Sequence, residues 1–209
     1  MSKVTIITAT LCQRTTLESA CASVDAQTFT DWHHYVLGDG ADPSLPARLS
    51  GQRRSCIALR RMGSTEPALD FPAGTPNPVY RWALTHLLMN QDGYVAFLDD
   101  DDTWLPTYLQ SMVSALEQNP DASVALCPMT DFRYGRTSID GHPELGRCGQ
   151  SAFLARVPMA QTVEYPHALP HRNCQEDFHF IKRLSEGGRW IRVPESLVLY
   201  DIARRDRVG

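Results

Sequence analysis

The sequence lacks the marks of several protein classes. Its six cysteines form no CxxC pair, which argues against a zinc ribbon and against a redox dithiol. No apolar run approaches the roughly 20 residues that a membrane-spanning helix requires. The net charge of −4 gives no bulk electrostatic reason to bind nucleic acid or an anionic membrane. We therefore expect a cytoplasmic protein, free or peripheral to a membrane, without a nucleic-acid partner.

The chain also lacks internal repeats and low-complexity linkers. With 209 residues and 43% hydrophobic content, it is long enough for one domain with a substantial core and too short for two full-sized domains. We predict a single domain over residues 1–209.

Short apolar runs alternate with amphipathic segments in the first part of the chain. Leu17, Cys21 and Val24, at spacings of four and three, indicate the buried face of the first helix. This alternation predicts an α/β fold, in which helices cover both faces of a mostly parallel sheet. The predicted strands cover residues 4–10, 34–37, 56–59, 94–98 and 123–127, and two further predicted helices cover 79–89 and 176–186.

One more helix is expected directly after the fourth strand. We expect Asp102 or Thr103 to cap it and Pro106 to lie in its first turn. Its core face is marked by Leu105, Leu109, Met112 and Leu116. Beyond residue 128 the pattern is looser, and it predicts a polar loop over 133–149, a strand over 152–157 and strand-like segments within 190–202.

A run of four aspartates, Asp99 to Asp102, follows the fourth predicted strand. Adjacent carboxylates repel one another, and such a group at the end of a buried strand calls for a counter-charge. Mg²⁺ or Mn²⁺ suits this role, because hard cations take carboxylate oxygens and keep positions open for substrate phosphates. The run therefore predicts a metal site.

Polar residues end three of the predicted strands. Thr10 ends the first, Asp39 follows the second between two glycines, and the aspartate run follows the fourth. Ligands of open α/β sheets bind outside the carboxyl ends of the strands. The three strand ends therefore predict one shared crevice.

These residues also form a recognisable pattern. It comprises the first strand, Ala26-Gln-Thr-Phe-Thr-Asp-Trp32, the strand end Asp39-Gly40, the segment Tyr94 to Pro106, and Glu176-Asp177 at the start of a late helix. The chain resembles family 2 glycosyltransferases with the GT-A fold, over roughly residues 4–118 and again over 175–200. The resemblance implies a Rossmann-like, mostly parallel central sheet with a small acceptor-side region. Residues 1–128 would then bind the nucleotide sugar, and residues 129–209 would bind the acceptor and supply the base.

The resemblance also implies a nucleotide-diphosphate sugar as donor. In matching positions, Thr8, Ala9 and Thr10 would line the nucleotide pocket, and Asp39 would hydrogen-bond the base. Arg81, in Tyr80-Arg81-Trp82, is an arginine that could reach the diphosphate.

The acidic run matches the DxD-type region of the family. Asp101 is the first choice as a ligand of Mn²⁺ or Mg²⁺, with Asp99 or Asp100 near the ribose or a metal-bound water and Asp99 as a second candidate ligand. Asp177 matches the catalytic base of inverting members. The acceptor would offer a hydroxyl group on a saccharide, a lipid-linked sugar or a small metabolite.

Each of these residues has a simpler explanation. The acidic run could be a solvated turn that caps a helix, since aspartate favours such positions. Asp39 could be a turn former beside glycine. Glu176 and Asp177 could be favourable negative charges at a helix N-terminus.

Other polar and aromatic residues leave alternatives open. His167 and His171 could bind a metal, but nearby prolines disfavour a helical pair, and we expect them to line the acceptor side. Trp82 could lie in the core or stack against a sugar. Arg204 and Arg205 form a solvated tail or contribute to the diphosphate site.

Two other functions fit parts of the pattern. A nucleotidyltransferase would also use a metal held by carboxylates, but no glycine-rich phosphate loop follows the first strand. A non-catalytic module that binds a sugar or nucleotide would not need both Asp101 and Asp177. We therefore favour a metal-dependent, inverting glycosyltransferase.

Overall fold

A seven-stranded sheet lies at the centre of the molecule. The computed structural model describes residues 3–10, 16–39, 49–59, 77–89, 91–166 and 176–200. The strands in these ranges are β1 (Val4–Thr10), β2 (Trp32–Asp39), β3 (Arg54–Leu59), β4 (Tyr94–Phe97), β5 (Thr103–Trp104), β6 (Ala122–Leu126), β7 (Met129–Asp131), β8 (Arg136–Ile139), β9 (Phe153–Arg156), β10 (Arg189–Arg192) and β11 (Val198–Tyr200). The helices are α1 (Leu17–Asp25), α2 (Asn77–His86), α3 (Tyr108–Gln118), α4 (Val157–Thr162) and α5 (Glu176–Gly187), and a 3-10 turn covers Gln150–Ala152.

The order of the central sheet is β10-β6-β9-β4-β1-β2-β3. Its strands are parallel except β9, which lies antiparallel to both neighbours, β4 and β6. A smaller sheet has the order β5-β11-β7-β8. The mostly parallel α/β sheet predicted from the sequence is confirmed. The antiparallel strand brings the residues that precede it to the edge where β4 ends.

Apolar residues of β1 point alternately to the two faces of the sheet, as the pleat requires. Val4 and Ile6 pack in one core cluster with residues of α1, α3 and the smaller sheet. Ile7 packs in a second cluster with residues of α2, α4 and α5. The helices thus cover both faces, and the second face carries α5, the helix with the candidate base. In the described part of the chain, no helix has both the length and the apolar character needed to cross a membrane.

The predicted start of α3 is wrong. The helix begins at Tyr108, and its N-cap residue Thr107 makes no side-chain capping hydrogen bond. Thr103 and Trp104 instead form β5, which pairs with β11. Trp104 is buried, and its indole Nε1 donates to the carbonyl of Ser151 at 2.7 Å. Burial and pairing of Trp104 therefore outweigh the local preference of Asp102 or Thr103 for an N-cap position.

The loop predicted over residues 133–149 is also partly wrong, because it contains β8. Most residues of β8 are exposed, so they lack the alternation of apolar side chains by which a strand is predicted. The remaining predicted strands are observed close to their predicted positions. The proline- and glycine-rich sequence between Gly63 and Pro78 lies mostly outside the described residues.

Candidate active site

The carboxyl ends of β1, β2 and β4 lie side by side. The register pairs Ile7 of β1 with Phe97 of β4, which places Thr10 level with Asp100. The hydroxyl of Thr10 donates to Oδ2 of Asp100 at 2.6 Å. On its other side, β1 pairs Thr10 with Gly38, one residue before Asp39. The sheet therefore brings the three predicted strand ends to one edge.

The four aspartates form a turn in which burial alternates. The backbone N–H of Asp102 donates to the carbonyl of Asp99 at 3.2 Å. Asp100 and Asp102 are buried, at 8% and 6% exposure, whereas Asp99 and Asp101 are partly exposed. Two carboxylates of the run are thus built into the protein, and two remain accessible from solvent.

Asp99 is held by residues from two other segments, the 3-10 turn and α2. Gln150 Nε2 donates to its Oδ1 at 3.1 Å, and the Tyr80 hydroxyl donates to the same oxygen over a longer 3.4 Å. The backbone N–H of Asp99 donates to the Ser151 hydroxyl at 3.0 Å. Gln150 Oε1 in turn accepts a short hydrogen bond from Tyr165. The 3-10 turn thus contacts both the backbone and the side chain of Asp99.

The two tyrosines belong to an aromatic layer under the site. Tyr80 stacks on Phe97 with ring centroids 4.5 Å apart, and Tyr165 contacts Phe180 of α5 at 4.9 Å. Burial raises the pKa of Tyr80 well above its ordinary value, and the charge of Asp99 adds to this effect. Burial likewise raises the pKa of Tyr165. Both hydroxyls therefore keep their protons at neutral pH and can donate.

Asp177 is the second residue of α5 and is partly exposed. Its Oδ1 accepts a hydrogen bond from the backbone N–H of Phe178 at 2.7 Å. Burial raises the pKa of Tyr165, and it raises the pKa of Cys148 to about 12. The negative charge of Asp177 adds a smaller contribution to both shifts. Asp99 also contributes to the raised pKa of Tyr165. The candidate base and the acidic turn thus act electrostatically on the same tyrosine.

The predicted nucleotide-pocket residues lie at the end of β1 and β2. Asp39 is 7% exposed and Ala9 is 6% exposed. Thr8 is fully buried, and its hydroxyl hydrogen-bonds Nε2 of His34 at 3.0 Å. Any contribution of Thr8 to a ligand pocket would therefore come from its backbone.

Arg81 lies on α2, where Nη2 pairs with Oε1 of Glu164 at 2.7 Å. It lines a groove of about 420 Å³ between α2 and the end of α4 with the residues that follow it. The remaining candidates, His167, His171, Arg204 and Arg205, lie outside the described residues. Trp82, on the same helix, is partly buried and stacks on His86 at 5.0 Å.

The accessible carboxylates fit a divalent cation of the Mg²⁺ type. Such cations are bound by one or two protein carboxylates, with water and substrate phosphates as the other ligands. Asp99 and Asp101 offer hard oxygen donors of this kind. Over the described ranges, no three histidine, cysteine or acidic side chains converge into a group that could hold a metal ion.

Gln150 and Ser151 were not among the predicted site residues. They precede a strand that runs antiparallel to β4, and for this reason they lie at the carboxyl end of β4. The signal for them is weak, since it consists of two polar residues directly before a buried strand. It becomes informative only once the direction of β9 is known.

The fold is shared with solved glycosyltransferase structures. A structure of S. aureus TarS residues 1–349 in complex with UDP-GlcNAc matches with a TM-score of 0.69 at 15% identity, covering 95% of this chain and 58% of that one. The mannosyltransferase PcManGT from Pyrobaculum calidifontis, in complex with GDP-Man and Mn²⁺, matches with a TM-score of 0.66 at 15% identity, covering 98% and 58%. At these identities the likeness shows the GT-A fold.

Sequence comparison shows a more specific likeness. The succinoglycan biosynthesis protein ExoW of Rhizobium meliloti is 26% identical over 167 residues, which cover 76% of this chain and 49% of that protein. The bifunctional glycosyltransferase pgtA of Dictyostelium discoideum is 26% identical over 114 residues, or 53% of this chain and 14% of that protein. The chain thus spans about half the length of the first relative. The model of glycosyl transferase family 2 matches residues 84–158, which include the acidic turn and the 3-10 turn that holds it. Over this segment the chain is similar to the family 2 glycosyltransferases.

Proposed function

We propose that the chain transfers a sugar from a nucleotide-diphosphate sugar to an acceptor hydroxyl, using Mn²⁺ or Mg²⁺ and inverting the anomeric configuration. The observation that carries the proposal is the acidic turn, Asp99 to Asp102, at the shared edge of β1, β2 and β4. Proteins of the same fold have been solved with UDP-GlcNAc and with GDP-Man and Mn²⁺. These complexes support a donor of the same class for this chain.

The residues of the edge have separate tasks in this reaction. Asp101 and Asp99 would hold the cation, which when bound supplies Lewis-acid stabilisation of the leaving diphosphate. Asp100 is bound to Thr10 and fixes the turn on β1. Thr10 and the backbone of Thr8 and Ala9 would line the nucleotide pocket.

Two further residues complete the donor side. Asp39 would accept a hydrogen bond from the base of the nucleotide. Arg81, whose Nη2 pairs with Oε1 of Glu164 at 2.7 Å, would contact the diphosphate. An arginine offers charge-assisted hydrogen bonds to phosphate oxygens.

Asp177 would act as the general base. In this role it removes the proton of the acceptor hydroxyl as the oxygen attacks the anomeric carbon. Attack opposite the leaving diphosphate inverts the configuration at that carbon. The acceptor is a saccharide, a lipid-linked sugar or a small metabolite, and the relative named for succinoglycan biosynthesis favours a saccharide.

The proposal is tested by incubating the protein with a panel of nucleotide sugars and nucleoside triphosphates, with MnCl₂ or with EDTA. We expect Mn²⁺-dependent release of a nucleoside diphosphate, and its loss in Asp101→Asn. The control is Asp92→Asn, which makes the same chemical change at an exposed position before β4 and should behave as the wild type. Pyrophosphate release from a triphosphate would indicate a nucleotidyltransferase. Binding of a nucleotide sugar without turnover, across saccharide acceptors, would indicate a binding module.

A further inference from the structure

A buried hydrogen-bonded chain lies behind the acidic turn. It runs from Tyr165 to Gln150 and from Gln150 to Asp99, and Tyr80 makes a second, longer contact with the same aspartate. The exposures of Tyr165, Gln150 and Tyr80 are 2%, 4% and 0%. Only the carboxylate at the end of this chain is partly exposed. These hydrogen bonds therefore connect buried residues to the accessible carboxylate of Asp99.

The donors and acceptors define the orientation of the Gln150 amide. An ionised carboxylate only accepts hydrogen bonds, so the amide NH₂ group must face Asp99. The carbonyl oxygen then faces Tyr165, whose hydroxyl donates to it. Asp99 thus sets the direction of the amide, and Tyr165 gives the amide oxygen its buried hydrogen-bond partner. Without that hydroxyl, the amide would lose the contact that holds it in place behind Asp99.

Aromatic packing holds both tyrosines in place. Tyr80 stacks on Phe97 at 4.5 Å, and Tyr165 lies against Tyr80 at 5.5 Å and against Phe180 at 4.9 Å. Phe180 lies one helical turn after Asp177 on α5, and it is fully buried. The layer that orients the Asp99 contact is therefore also the surface on which the helix of the candidate base packs.

A polar chain of this kind costs desolvation free energy that an apolar core would not require. The cost is small only if every member keeps its partner. Gln150 achieves this with one hydrogen bond from its NH₂ group and one to its carbonyl oxygen. This hydrogen-bonded chain ends at Asp99, a candidate ligand of the cation. Hydrogen-bond partners of a ligating carboxylate orient it toward the metal, so the chain has a role beyond packing.

We propose that Gln150, held in place by Tyr165, is a positioning residue that keeps the Asp99 carboxylate in the conformation needed to bind the cation and diphosphate of the donor. The inference rests on the proposed function, because it assigns Asp99 to that site. Gln150 acts through Asp99 and does not itself contact the sugar nucleotide.

The test measures binding of UDP and of GDP by calorimetry, in MnCl₂ and in EDTA, for the wild type, Tyr165→Phe and Gln150→Glu. Tyr165→Phe keeps the ring and removes only the hydroxyl that holds the amide in place. Gln150→Glu keeps the shape and the acceptor for Tyr165, but it places a second carboxylate against Asp99. Loss of partners of a metal-binding carboxylate costs about 10- to 100-fold in affinity. We expect both variants to weaken the Mn²⁺-dependent dissociation constant by about tenfold or more and to leave binding in EDTA unchanged.

Tyr108→Phe is the matched control. Tyr108 is also fully buried, and its hydroxyl donates to the carbonyl of Phe153 at 2.8 Å, so its loss removes one buried hydrogen bond elsewhere in the core. We expect the midpoint of thermal unfolding to fall in Tyr108→Phe as it does in Tyr165→Phe. The affinity of Tyr108→Phe for the diphosphate in MnCl₂ should equal that of the wild type.

The possible results separate the inference from the function on which it rests. If the wild type binds neither UDP nor GDP in MnCl₂, both the proposed function and the inference are overturned. If the wild type binds a diphosphate in MnCl₂, and Tyr165→Phe and Gln150→Glu bind it with the same affinity as the wild type, only the inference is overturned. Equal losses in Tyr165→Phe and Tyr108→Phe, or equal losses in MnCl₂ and EDTA, would also overturn it, because they would indicate a general loss of stability.

Discussion

The hydroxyl of Thr10 donates a 2.6 Å hydrogen bond to the carboxylate of Asp100, across the ends of β1 and β4. Both residues are buried, at 4% and 8% exposure. A short bond to a buried carboxylate is stronger than one between neutral groups. This contact therefore fastens the acidic turn to the first strand of the sheet and reduces the repulsion cost of placing carboxylates together.

Replacing Thr10 with valine tests the contribution of this bond to stability. Thr10→Val keeps the branched shape and removes the donor, so we expect the free energy of unfolding to fall by about 1.5–3 kcal/mol. Urea denaturation at neutral pH measures the change. Thr10→Ser retains a hydroxyl and serves as the control, with a smaller expected loss. Equal losses in the two variants would mean that the methyl group, rather than the hydrogen bond, is the stabilising feature.

Asp177→Asn tests the assignment of the general base. The amide has nearly the shape of the carboxylate but cannot take up a proton from the acceptor. We expect the turnover number to fall by about 10²- to 10⁴-fold, with nucleoside diphosphate binding in Mn²⁺ close to that of the wild type. Rates of diphosphate release and calorimetric titration measure these two quantities separately.

The control for this change lies on the same helix. Glu186, at the far end of α5, is exposed and pairs with Lys182 at 3.6 Å. Glu186→Gln should leave turnover unchanged, because an exposed pair of this kind contributes little to stability. A turnover number of Asp177→Asn within a few-fold of the wild type would assign the proton transfer to another group.

The strand ends could be predicted from the sequence because they depend on local patterns. The buried run before Asp99 and the β-branched run before Thr10 identify parallel strands, and the carboxyl ends of parallel strands share an edge. Neighbouring positions of β1 and β4 in the sheet then bring Thr10 to Asp100. This part of the site thus follows from composition and strand order.

The support of Asp99 could not be predicted in the same way. Gln150 reaches it because β9 inserts antiparallel between β4 and β6, and this insertion pairs Tyr94 with Arg156, which are distant in sequence. No local sequence pattern indicates whether such a strand runs parallel or antiparallel to its neighbours. The wrong cap at Asp102 or Thr103 has a similar origin, since Trp104 is buried by contacts with distant residues.

Gly93 is required where the chain enters β4. Its φ is 102°, in a region that residues with a side chain rarely adopt, and a Cβ there would clash with the carbonyl oxygen of Lys3. That oxygen also accepts the backbone N–H of Tyr94 at 2.9 Å, so it cannot move without loss of a hydrogen bond. We expect Gly93→Ala to lower the free energy of unfolding by about 3 kcal/mol.

Gly135 provides the comparison, because it has a φ of 59° and no atom within 4 Å of an added Cβ. Gly135→Ala should therefore show only the conformational penalty, about 1–2 kcal/mol. Urea denaturation of the two variants separates backbone conformation from steric conflict. Equal destabilisation would show that the clash at Gly93 is relieved by a small shift of the chain.

His34 makes the stability of the protein depend on pH. It is fully buried, Arg54 Nε donates to its Nδ1 at 3.1 Å, and its Nε2 hydrogen-bonds the Thr8 hydroxyl at 3.0 Å. Because Nδ1 accepts, the proton of the neutral ring lies on Nε2. Burial, with a further contribution from the charges of Arg54 and His33, lowers the pKa of His34 well below its ordinary value.

The sign of the effect follows from proton uptake. Below pH of about 6.5 the unfolded chain protonates this histidine while the folded protein does not, so stability falls as the pH decreases. Between pH 7 and pH 5 the expected loss from His34 alone is up to about 2 kcal/mol. His34→Gln removes the titrating group. The unfolding free energy of this variant should therefore fall less between pH 7 and pH 5 than that of the wild type, by the amount that His34 contributes. His86→Gln, at an exposed position on α2, should retain the wild-type difference. If His34→Gln and the wild type lost the same free energy between pH 7 and pH 5, His34 would have to take up its proton in the folded protein, and the hydrogen bond from Arg54 would have to break.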